Sequence, residues 1–212
     1  LANDGISPSG IERLRANGFT VVTENVPQDQ LIDAINSEGY EVLLVRSATT
    51  ARKDLMDACP GLKMIGRGGV GMDNIDVAYG REKGLVVFNT PASSSMAVAE
   101  LVMAQLFSLS RSTYDSERNM PTNGAEKFKA LKKKYGKGIE LRGKTLGVVG
   151  FGRIGQFTAK YALGCGMTVV ASDPFVKEAS IDVEVGNQTV SVAINMVEKD
   201  ECSNLKRILK TD

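Results

Sequence analysis

The sequence predicts an α/β protein with two parallel sheets in two domains. Short apolar runs alternate with helical patterns over residues 1–90, and a strand–glycine turn–helix–strand unit begins much later, near Thr145. A long apolar helical stretch with small side chains, residues 94–111, separates the two. Such alternation is typical of parallel strands connected by helices that cover both faces of a sheet. We therefore expect a first domain over residues 1–93, connecting helices over 94–120, and the first part of a second domain over 121–212.

Apolar spacing predicts the elements of the first block in chain order. Helices are expected around Ile11 and Leu14, around Leu31 and Ile35, and over residues 51–59 and 77–83. The expected strands are residues 19–23, 42–45, 63–66 and 85–88.

The connecting region predicts further helices, of which the last is rich in lysine. Apolar Phe128, Leu131 and Tyr135 mark that helix, whose lysines are Lys127, Lys129, Lys132, Lys133, Lys134 and Lys137. A nucleic-acid patch and a solvated helix face are both compatible with this run. The net charge of +1 for the whole chain favours the solvated face, and no nucleic-acid partner is expected.

The run from Gly150 to Gly155 reads Gly-Phe-Gly-Arg-Ile-Gly and carries the clearest chemical signal. It follows the apolar strand 145–149, opens a helix that stops at Gly164, and is followed by strand 167–171 and then Asp173. This order within about thirty residues is the dinucleotide-binding fingerprint of a Rossmann fold. The other interpretation is a glycine-rich turn in an unrelated α/β protein, with Asp173 as an ordinary surface acid.

Each residue of the fingerprint has a physical role. Gly150 permits the tight turn, Gly152 lets a pyrophosphate approach the backbone, and Gly155 allows close helix–sheet packing. The helix that begins near Arg153 and Ile154 directs free N–H groups and its positive end at the phosphates.

Asp173 would accept hydrogen bonds from a ribose 2′-hydroxyl and repel a 2′-phosphate. The sequence therefore predicts NAD as the cofactor.

The pattern changes after Asp173. Alternating apolar residues on both sides of Gly186-Asn187 predict a hairpin, most simply a surface ribbon. Residues 201–210 read as a final helix, and the chain reaches Asp212 with only the opening part of a dinucleotide domain present. Because it also starts at Leu1, we expect that residues are missing from a longer enzyme, with natural truncation as the alternative.

Composition excludes several kinds of site. The chain of 212 residues has no histidine, which excludes Ser-His-Asp and Cys-His chemistry and histidine-ligated metals within it. Its three cysteines are far apart and predict reduced thiols of a cytoplasmic protein rather than nucleophiles or metal ligands. No apolar run has membrane-spanning length, so no membrane partner is expected.

From about Val42 to Pro174 the sequence resembles the NAD-dependent D-2-hydroxyacid dehydrogenases. The resemblance rests on several ordered motifs in addition to the glycine fingerprint. These motifs are Val-Arg-Ser-Ala-Thr at 45–49, Ile-Gly-Arg-Gly-Gly-Val-Gly-Met-Asp-Asn-Ile-Asp at 65–76, Phe-Asn-Thr-Pro at 88–91, Val-Ala-Glu-Leu at 98–101, and Glu-Leu-Arg-Gly-Lys-Thr-Leu-Gly at 140–147.

The resemblance implies a flavodoxin-like substrate domain followed by an incomplete Rossmann domain. It implies hydride transfer between NAD and a small 2-hydroxy acid bound between the two lobes. The favoured substrate is 3-phosphoglycerate, oxidised to 3-phosphohydroxypyruvate at the start of serine biosynthesis. Alternatives are a related dehydrogenase acting on glycerate, glyoxylate or lactate, and a non-catalytic NAD-sensing protein like the dehydrogenase-related corepressors.

The resemblance also implies the substrate site. Backbone N–H groups around Gly69, Val70 and Gly71 would hold the substrate carboxylate, with Val70 also beside the cofactor. Arg46 and Ser47 would bind polar or phosphate groups. Asn89 would contact the substrate from a strand end. The alternative for the glycines at 68, 69 and 71 is an ordinary tight turn. Arg46 could instead form a surface ion pair, and Asn89 could be a turn residue. Glu100 is expected to be a buried structural partner.

No catalytic residue is assigned within the chain. The resemblance places the family's catalytic arginine, acid and histidine in later segments, so we expect the chain as given to turn over negligibly. It also implies a homodimer, for which residues 94–111 and the lysine-rich segment are the candidate contacts.

Overall fold

The computed structural model describes residues 1–204 and contains two compact units. The first is Leu1–Ser94, and the second begins at Ser95. Each unit has its own parallel strands and its own apolar core, which confirms the predicted α/β class. The predicted three-part division at residues 93 and 120 stays a prediction.

The first unit has a three-stranded parallel sheet in the order β1-β2-β3. Its helices are α1 (Pro8–Ala16), α2 (Leu31–Glu38), α3 (Lys53–Ala58) and α4 (Val77–Glu82), with a short 3-10 turn at Gln28–Gln30. Its strands are β1 (Val42–Val45), β2 (Met64–Arg67) and β3 (Val86–Asn89).

One face of this sheet carries the core. Leu43, Ile65 and Val87 lie in register on adjacent strands and are buried together with Leu31 and Leu55 from the helices. The opposite face is more open, because alternate strand residues such as Phe88 are exposed. Because the three strands are parallel, their carboxyl ends, after residues 45, 67 and 89, meet at one edge of the sheet.

Local chemistry explains where the helices begin and end. The Ser7 hydroxyl accepts a hydrogen bond from the Gly10 amide at 3.2 Å, and Pro8 occupies the first turn of α1. Helix α2 ends at Gly39, whose φ of 66° is the left-handed conformation that glycine adopts without strain.

The strand predicted at residues 19–23 is wrong. The segment is extended but pairs poorly, with one backbone bond from the Ala2 amide to the Val22 carbonyl. Residues 1–3 take the place beside β1 instead, where Ala2 bridges Leu44. Phe19 is 52% exposed and belongs to no ladder.

The second unit has a four-stranded sheet in the order β4-β5-β7-β6. Its helices are α5 (Ser95–Arg111), α6 (Thr113–Tyr135), α7 (Arg153–Gly164) and α8 (Lys199–Asn204). Its strands are β4 (Thr145–Val149), β5 (Thr168–Ser172), β6 (Ala179–Val185) and β7 (Gln188–Met196). Strands β4, β5 and β7 are parallel, and α5 packs against α7.

The predicted hairpin forms, but its description as a surface ribbon is wrong. The turn lies at Gly186, where φ is +62°, and β6 and β7 pair from Ala179↔Ile194 to Val185↔Gln188. Strand β7 also pairs in parallel with β5, and both Ile181 and Ile194 are buried in the second core. The hairpin is therefore part of the sheet.

Helix α6 consists of two helical segments that meet at Lys127. The φ and ψ of Lys127, −114° and 17°, are not helical, and the chain folds back there. As a result, the Tyr135 hydroxyl donates to an Asp115 carboxylate oxygen at 2.9 Å across twenty positions of sequence. The predicted second amphipathic helix is thus present. Lys134 of the lysine run is paired with Asp115, at 2.5 Å.

The final predicted helix is described only in part. Helix α8 covers Lys199–Asn204, and residues 205–210 of the prediction lie outside the described residues. Over residues 1–204, no helix combines the length and apolar character needed to cross a bilayer.

Candidate functional site

The loop between β4 and α7 has the geometry of a phosphate-binding turn. Gly150 turns out of β4 with a φ of +95°, a conformation that other residues rarely adopt. A Cβ on Gly155 would lie 2.3 Å from the Gly150 carbonyl oxygen and 3.2 Å from Val148 Cγ1, so α7 reaches the sheet only because Gly155 has no side chain. A Cβ on Gly152 would meet nothing within 4 Å. The backbone at Gly152 is therefore open to a ligand.

The amino end of α7 is free to bind an anion. No side chain caps the helix at Gly152. In the described part of the chain, the amide N–H groups of Arg153, Ile154 and Gly155 have no hydrogen-bond acceptor. These groups and the helix dipole are suited to a phosphate.

Asp173 lies directly beside this loop. Its carboxylate accepts hydrogen bonds from the Phe175 amide at 2.8 Å and the Phe151 amide at 2.7 Å. These bonds to Phe175 and Phe151 hold the pKa of Asp173 below its ordinary value. The carboxylate is thus ionised near neutral pH, and it ties the end of β5 to the loop after β4.

A cavity of about 750 Å³ opens at the carboxyl ends of the parallel strands of this unit. In open α/β sheets, ligands bind outside this edge. Residues of all three parallel strand ends line the cavity; they include Val149, Gly150, Asp173, Pro174, Met196 and Glu198.

The loop after β2 in the first unit, residues 68–71, is fixed through its carbonyl groups. Asn89 Nδ2 donates to the Val70 carbonyl at 2.6 Å, and the Thr90 amide donates to the Gly69 carbonyl at 3.0 Å. Both donors come from the end of β3. The side-chain amide of Asn89 therefore supports the loop, a role that the sequence did not indicate.

The amides of this loop divide into two sets. Those of Gly68 and Gly69 donate to the carbonyls of Val45 and Arg67. Among the residues described, the amides of Val70 and Gly71 have no acceptor. Val70 is 50% exposed, so these two adjacent N–H groups are accessible to an anion.

Asp4 fixes the segment that carries Arg46 and Ser47 through hydrogen bonds. The Asp4 carboxylate accepts from the Arg46 amide at 2.6 Å, the Thr49 amide at 3.1 Å and the Thr49 hydroxyl at 2.5 Å. Burial alone would raise the pKa of Asp4, but the hydrogen bonds from Thr49, Arg46 and Ala48 lower it on balance. The side chains of Arg46 and Ser47 remain exposed.

Arg46 lines an open cavity of about 920 Å³ in the first unit. Its guanidinium has no ionic partner among the described residues. Arg67, Thr90 and Phe88 also line this cavity. Arg46 is thus available to an anionic group of a ligand.

Arg67 and Asp73 form an ion pair at the same edge, which the sequence did not single out. Arg67 Nη1 donates to Asp73 Oδ1 at 2.8 Å, and this contact lowers the pKa of Asp73. The ion pair could not be found from local spacing, because either residue alone resembles an ordinary turn charge.

The predicted site residues thus form two groups. Gly150, Gly152, Arg153, Ile154, Gly155 and Asp173 lie together in the second unit, and Arg46, Ser47, Gly69, Val70, Gly71 and Asn89 lie at one sheet edge of the first. Glu100, expected to be buried, is exposed and accepts a hydrogen bond from the Tyr161 hydroxyl at 3.4 Å.

Over residues 1–204, no cluster of three or more acidic, cysteine or histidine side chains is arranged to hold a metal. The cysteines are free, and burial raises the pKa of Cys59 and Cys202. Buried thiols of this kind are poor nucleophiles.

Curated relatives of the chain include a hydroxypyruvate reductase and several D-3-phosphoglycerate dehydrogenases. A hydroxypyruvate reductase of Thermotoga maritima is 43% identical over 164 residues, which cover 77% of this chain and 51% of the relative. A D-3-phosphoglycerate dehydrogenase of Methanocaldococcus jannaschii is 40% identical over 177 residues, 83% of this chain and 32% of the relative. The chain therefore spans about half the length of the first of these relatives and about a third of the second.

Solved structures agree on the fold. The TT0316 protein of Thermus thermophilus superposes with a TM-score of 0.73 at 28% identity, covering 94% of this chain and 60% of that one. An NAD-dependent formate dehydrogenase of Staphylococcus aureus, solved in complex with NAD, gives a TM-score of 0.67 at 23% identity over 92% of this chain and 54% of its own. The second similarity concerns the fold alone.

The family model for the catalytic domain of D-isomer specific 2-hydroxyacid dehydrogenases matches residues 1–207. This match extends over both units and both groups of site residues. The chain belongs to the D-isomer specific 2-hydroxyacid dehydrogenase family.

Proposed function

We propose that the protein takes part in NAD-dependent oxidation of a D-2-hydroxy acid, with 3-phosphoglycerate as the substrate and 3-phosphohydroxypyruvate as the product. This reaction opens serine biosynthesis. The observation that carries the proposal is the open backbone at Gly152, beside an uncapped helix end and the ionised Asp173. Relatives named D-3-phosphoglycerate dehydrogenase at 34–40% identity support the substrate.

The residues of the second unit fit NAD. The space above Gly152, which a side chain would fill, accommodates a pyrophosphate, and the amides of Arg153, Ile154 and Gly155 are free to bind it. Asp173 retains lone pairs for the hydroxyls of the adenosine ribose. When bound, NAD supplies the hydride acceptor for the 2-carbon of the hydroxy acid.

The residues of the first unit fit a small acid. The free amides of Val70 and Gly71 would hold the carboxylate, and the Gly69 carbonyl remains fixed by Thr90. Arg46 and Ser47 would bind the phosphate, for which a planar guanidinium is well suited. Asn89 would orient the substrate through the loop that it supports and through its side-chain oxygen, which accepts no hydrogen bond from the described residues.

Reduction of hydroxypyruvate is the second candidate. The specific observation in its favour is the 43% identity to the hydroxypyruvate reductase of Thermotoga maritima. Hydroxypyruvate has the same carboxylate and 2-oxo group but no phosphate. The two candidates therefore differ in what Arg46 and Ser47 bind.

We propose a cytoplasmic homodimer as the working form. Three free cysteines and the absence of any disulfide among the described residues are compatible with a reducing compartment. Helix α5 exposes a large apolar side chain at several positions, including Leu101 at 59% and Leu109 at 73%. Exposed apolar surface of this kind favours a protein contact.

The test is NADH formation by the gene product including any coding sequence beyond Asp212. 3-Phosphoglycerate should be oxidised with a higher kcat/KM than glycerate or lactate, and Arg46→Gln should remove that preference while leaving glycerate oxidation nearly unchanged. Equal rates on all acids would reject the phosphorylated substrate. Preference for hydroxypyruvate with NADH would favour the second candidate.

A further inference from the structure

The Arg67 side chain runs beneath the loop of residues 68–71. Only 13% of it is exposed, although it belongs to the end of β2 at the sheet edge. A Cβ on Gly69 would lie 3.6 Å from Arg67 Nε, and a Cβ on Gly71 would lie 3.5 Å from Nη1. The guanidinium therefore occupies the space that side chains at Gly69 and Gly71, on both sides of Val70, would approach.

Asp73 fixes the guanidinium in this place. The 2.8 Å bond from Nη1 to Asp73 Oδ1 closes a ring of residues 67–73 around the loop. A Cβ on Gly71 would lie only 3.0 Å from the same Asp73 oxygen, so the loop and the ion pair are packed against each other. The Asp73 side chain is 86% exposed, in contrast to that of its partner.

The bond to Asp73 uses only part of the hydrogen-bonding capacity of the guanidinium. Within the described chain, its Nε is buried without a hydrogen-bond partner. A buried unpaired donor is unfavourable and needs an explanation. Support of the loop would supply one, since the Arg67 guanidinium lies beside the backbone from which the Val70 and Gly71 amides project.

Given the proposed function, we infer that Arg67 and Asp73 are positioning residues that hold the Val70 and Gly71 amides in the geometry that binds the substrate carboxylate. Asn89 and Thr90 hold the loop through its carbonyls from β3, and the ion pair holds it from β2. Neither Arg67 nor Asp73 needs to touch the substrate for this role.

A purely electrostatic role makes the opposite prediction for Asp73. Its carboxylate lies beside the amides that would receive an anion, so removing its charge should strengthen anion binding. If instead it acts by positioning, its removal releases Arg67 and loosens the loop, and binding weakens. The sign of the effect of Asp73→Asn therefore separates the two roles.

The experiment compares Asp73→Asn with Glu41→Gln in the gene product including any coding sequence beyond Asp212. Glu41 is the matched control, because it pairs with Lys63 in the same unit but just before β1, at the opposite edge of the sheet. Two measurements are made by NMR: hydrogen exchange of the Thr90 amide, and titration with 3-phosphoglycerate followed at the Val70 and Gly71 amides.

We expect Asp73→Asn to speed exchange of the Thr90 amide and to raise the Kd for 3-phosphoglycerate about tenfold, the size of a lost charge-assisted hydrogen bond. Glu41→Gln should change both by less than about twofold, as exposed ion pairs usually do. Arg67→Lys, which keeps the charge but not the planar fork, should behave like Asp73→Asn.

Tighter or unchanged binding in Asp73→Asn, with unchanged Thr90 exchange, would overturn the inference. Failure of the unmutated protein to shift its Val70 and Gly71 signals would reject the proposed function instead. In that event Thr90 exchange alone still decides whether the ion pair holds the loop.

Discussion

The three glycines of the loop between β4 and α7 have different surroundings. Gly150 needs its positive φ, Gly155 is in contact with the backbone of Gly150, and Gly152 has open space and a φ of −75° that alanine can adopt. The first two are thus required by the fold. The fold places no such requirement on Gly152, and the proposed pyrophosphate position would explain a glycine there.

This difference predicts opposite results for two alanine substitutions. Gly155→Ala should lower the free energy of unfolding by about 3 kcal/mol, because backbone must move to admit the methyl group. Gly152→Ala should change stability by less than about 0.5 kcal/mol but weaken NAD binding at least about tenfold. Urea unfolding and calorimetric titration with NAD provide the measurements. Normal NAD affinity in Gly152→Ala would contradict the proposed pyrophosphate position.

Asp4 predicts a pH-dependent contribution to stability. Its hydrogen bonds favour the ionised form, so its pKa in the folded protein is lower than in the unfolded chain, where it is about 3.9. The stabilisation is present above that unfolded pKa and is lost as pH falls through the folded pKa. Asp4→Asn should cost about 1–2 kcal/mol from pH 7 down to about pH 5, and progressively less at lower pH. A cost independent of pH down to pH 2 would contradict this account.

At the scale of elements, local patterns predicted most strands and helices but not which strands pair with one another. The turn at Gly186 has a short-range signal, and the hairpin was predicted. Its membership in the sheet depends on β7 pairing with β5 at Val170↔Asn195 and Ala171↔Met196, which alternation alone cannot reveal. The wrong prediction of a strand at residues 19–23 also concerns pairing. Residues 1–3 occupy the place beside β1, which local alternation cannot reveal.

The place of β7 in the core predicts unequal costs for two truncations within one strand. Ile194→Ala should cost about 2–4 kcal/mol, because Ile194 is 7% exposed and its removal leaves a cavity. Val190→Ala, at a position that is 46% exposed, should cost less than about 1 kcal/mol. Denaturant unfolding of both variants tests this, and equal small costs would restore the surface-ribbon interpretation.

The candidate site was predictable to the extent that its signals are local. The fingerprint from Gly150 to Gly155 and the acid at Asp173 are read from consecutive strands, and they lie together as expected. Asp4 binds the Arg46 segment across more than forty residues, and Arg67 lies beside a loop whose glycines do not reveal in the sequence what they pack against. Contacts of this kind depend on the tertiary fold and leave no periodic trace in one sequence.

At the scale of the whole molecule, each unit is stabilised by its own core. The first core includes Leu43 and Ile65, the second includes Phe151 and Ile194, and no residue of the described chain belongs to both. The family match covers both units as one catalytic domain. The proposed reaction needs the ligand-binding groups of both.

The proposed homodimer predicts that charge on α5 will dissociate it. Leu101→Asp and Leu109→Asp should shift the protein from dimer to monomer in sedimentation velocity, because a buried unpaired carboxylate opposes association. Val185→Asp is the control, since Val185 is also exposed, at 61%, but lies at the tip of the hairpin. A monomeric unmutated protein, or dimers in all three variants, would reject this interface.

The double attachment of Asp173 limits how coenzyme preference can be re-engineered. Replacing it with a small neutral residue would remove the repulsion of a 2′-phosphate, but it would also leave the amides of Phe151 and Phe175 without their acceptor. In the proposed NAD complex, one carboxylate would therefore both discriminate between the two nicotinamide coenzymes and shape the turn that receives them. A successful redesign must therefore provide a new acceptor for these amides, in addition to a cationic side chain that binds the 2′-phosphate.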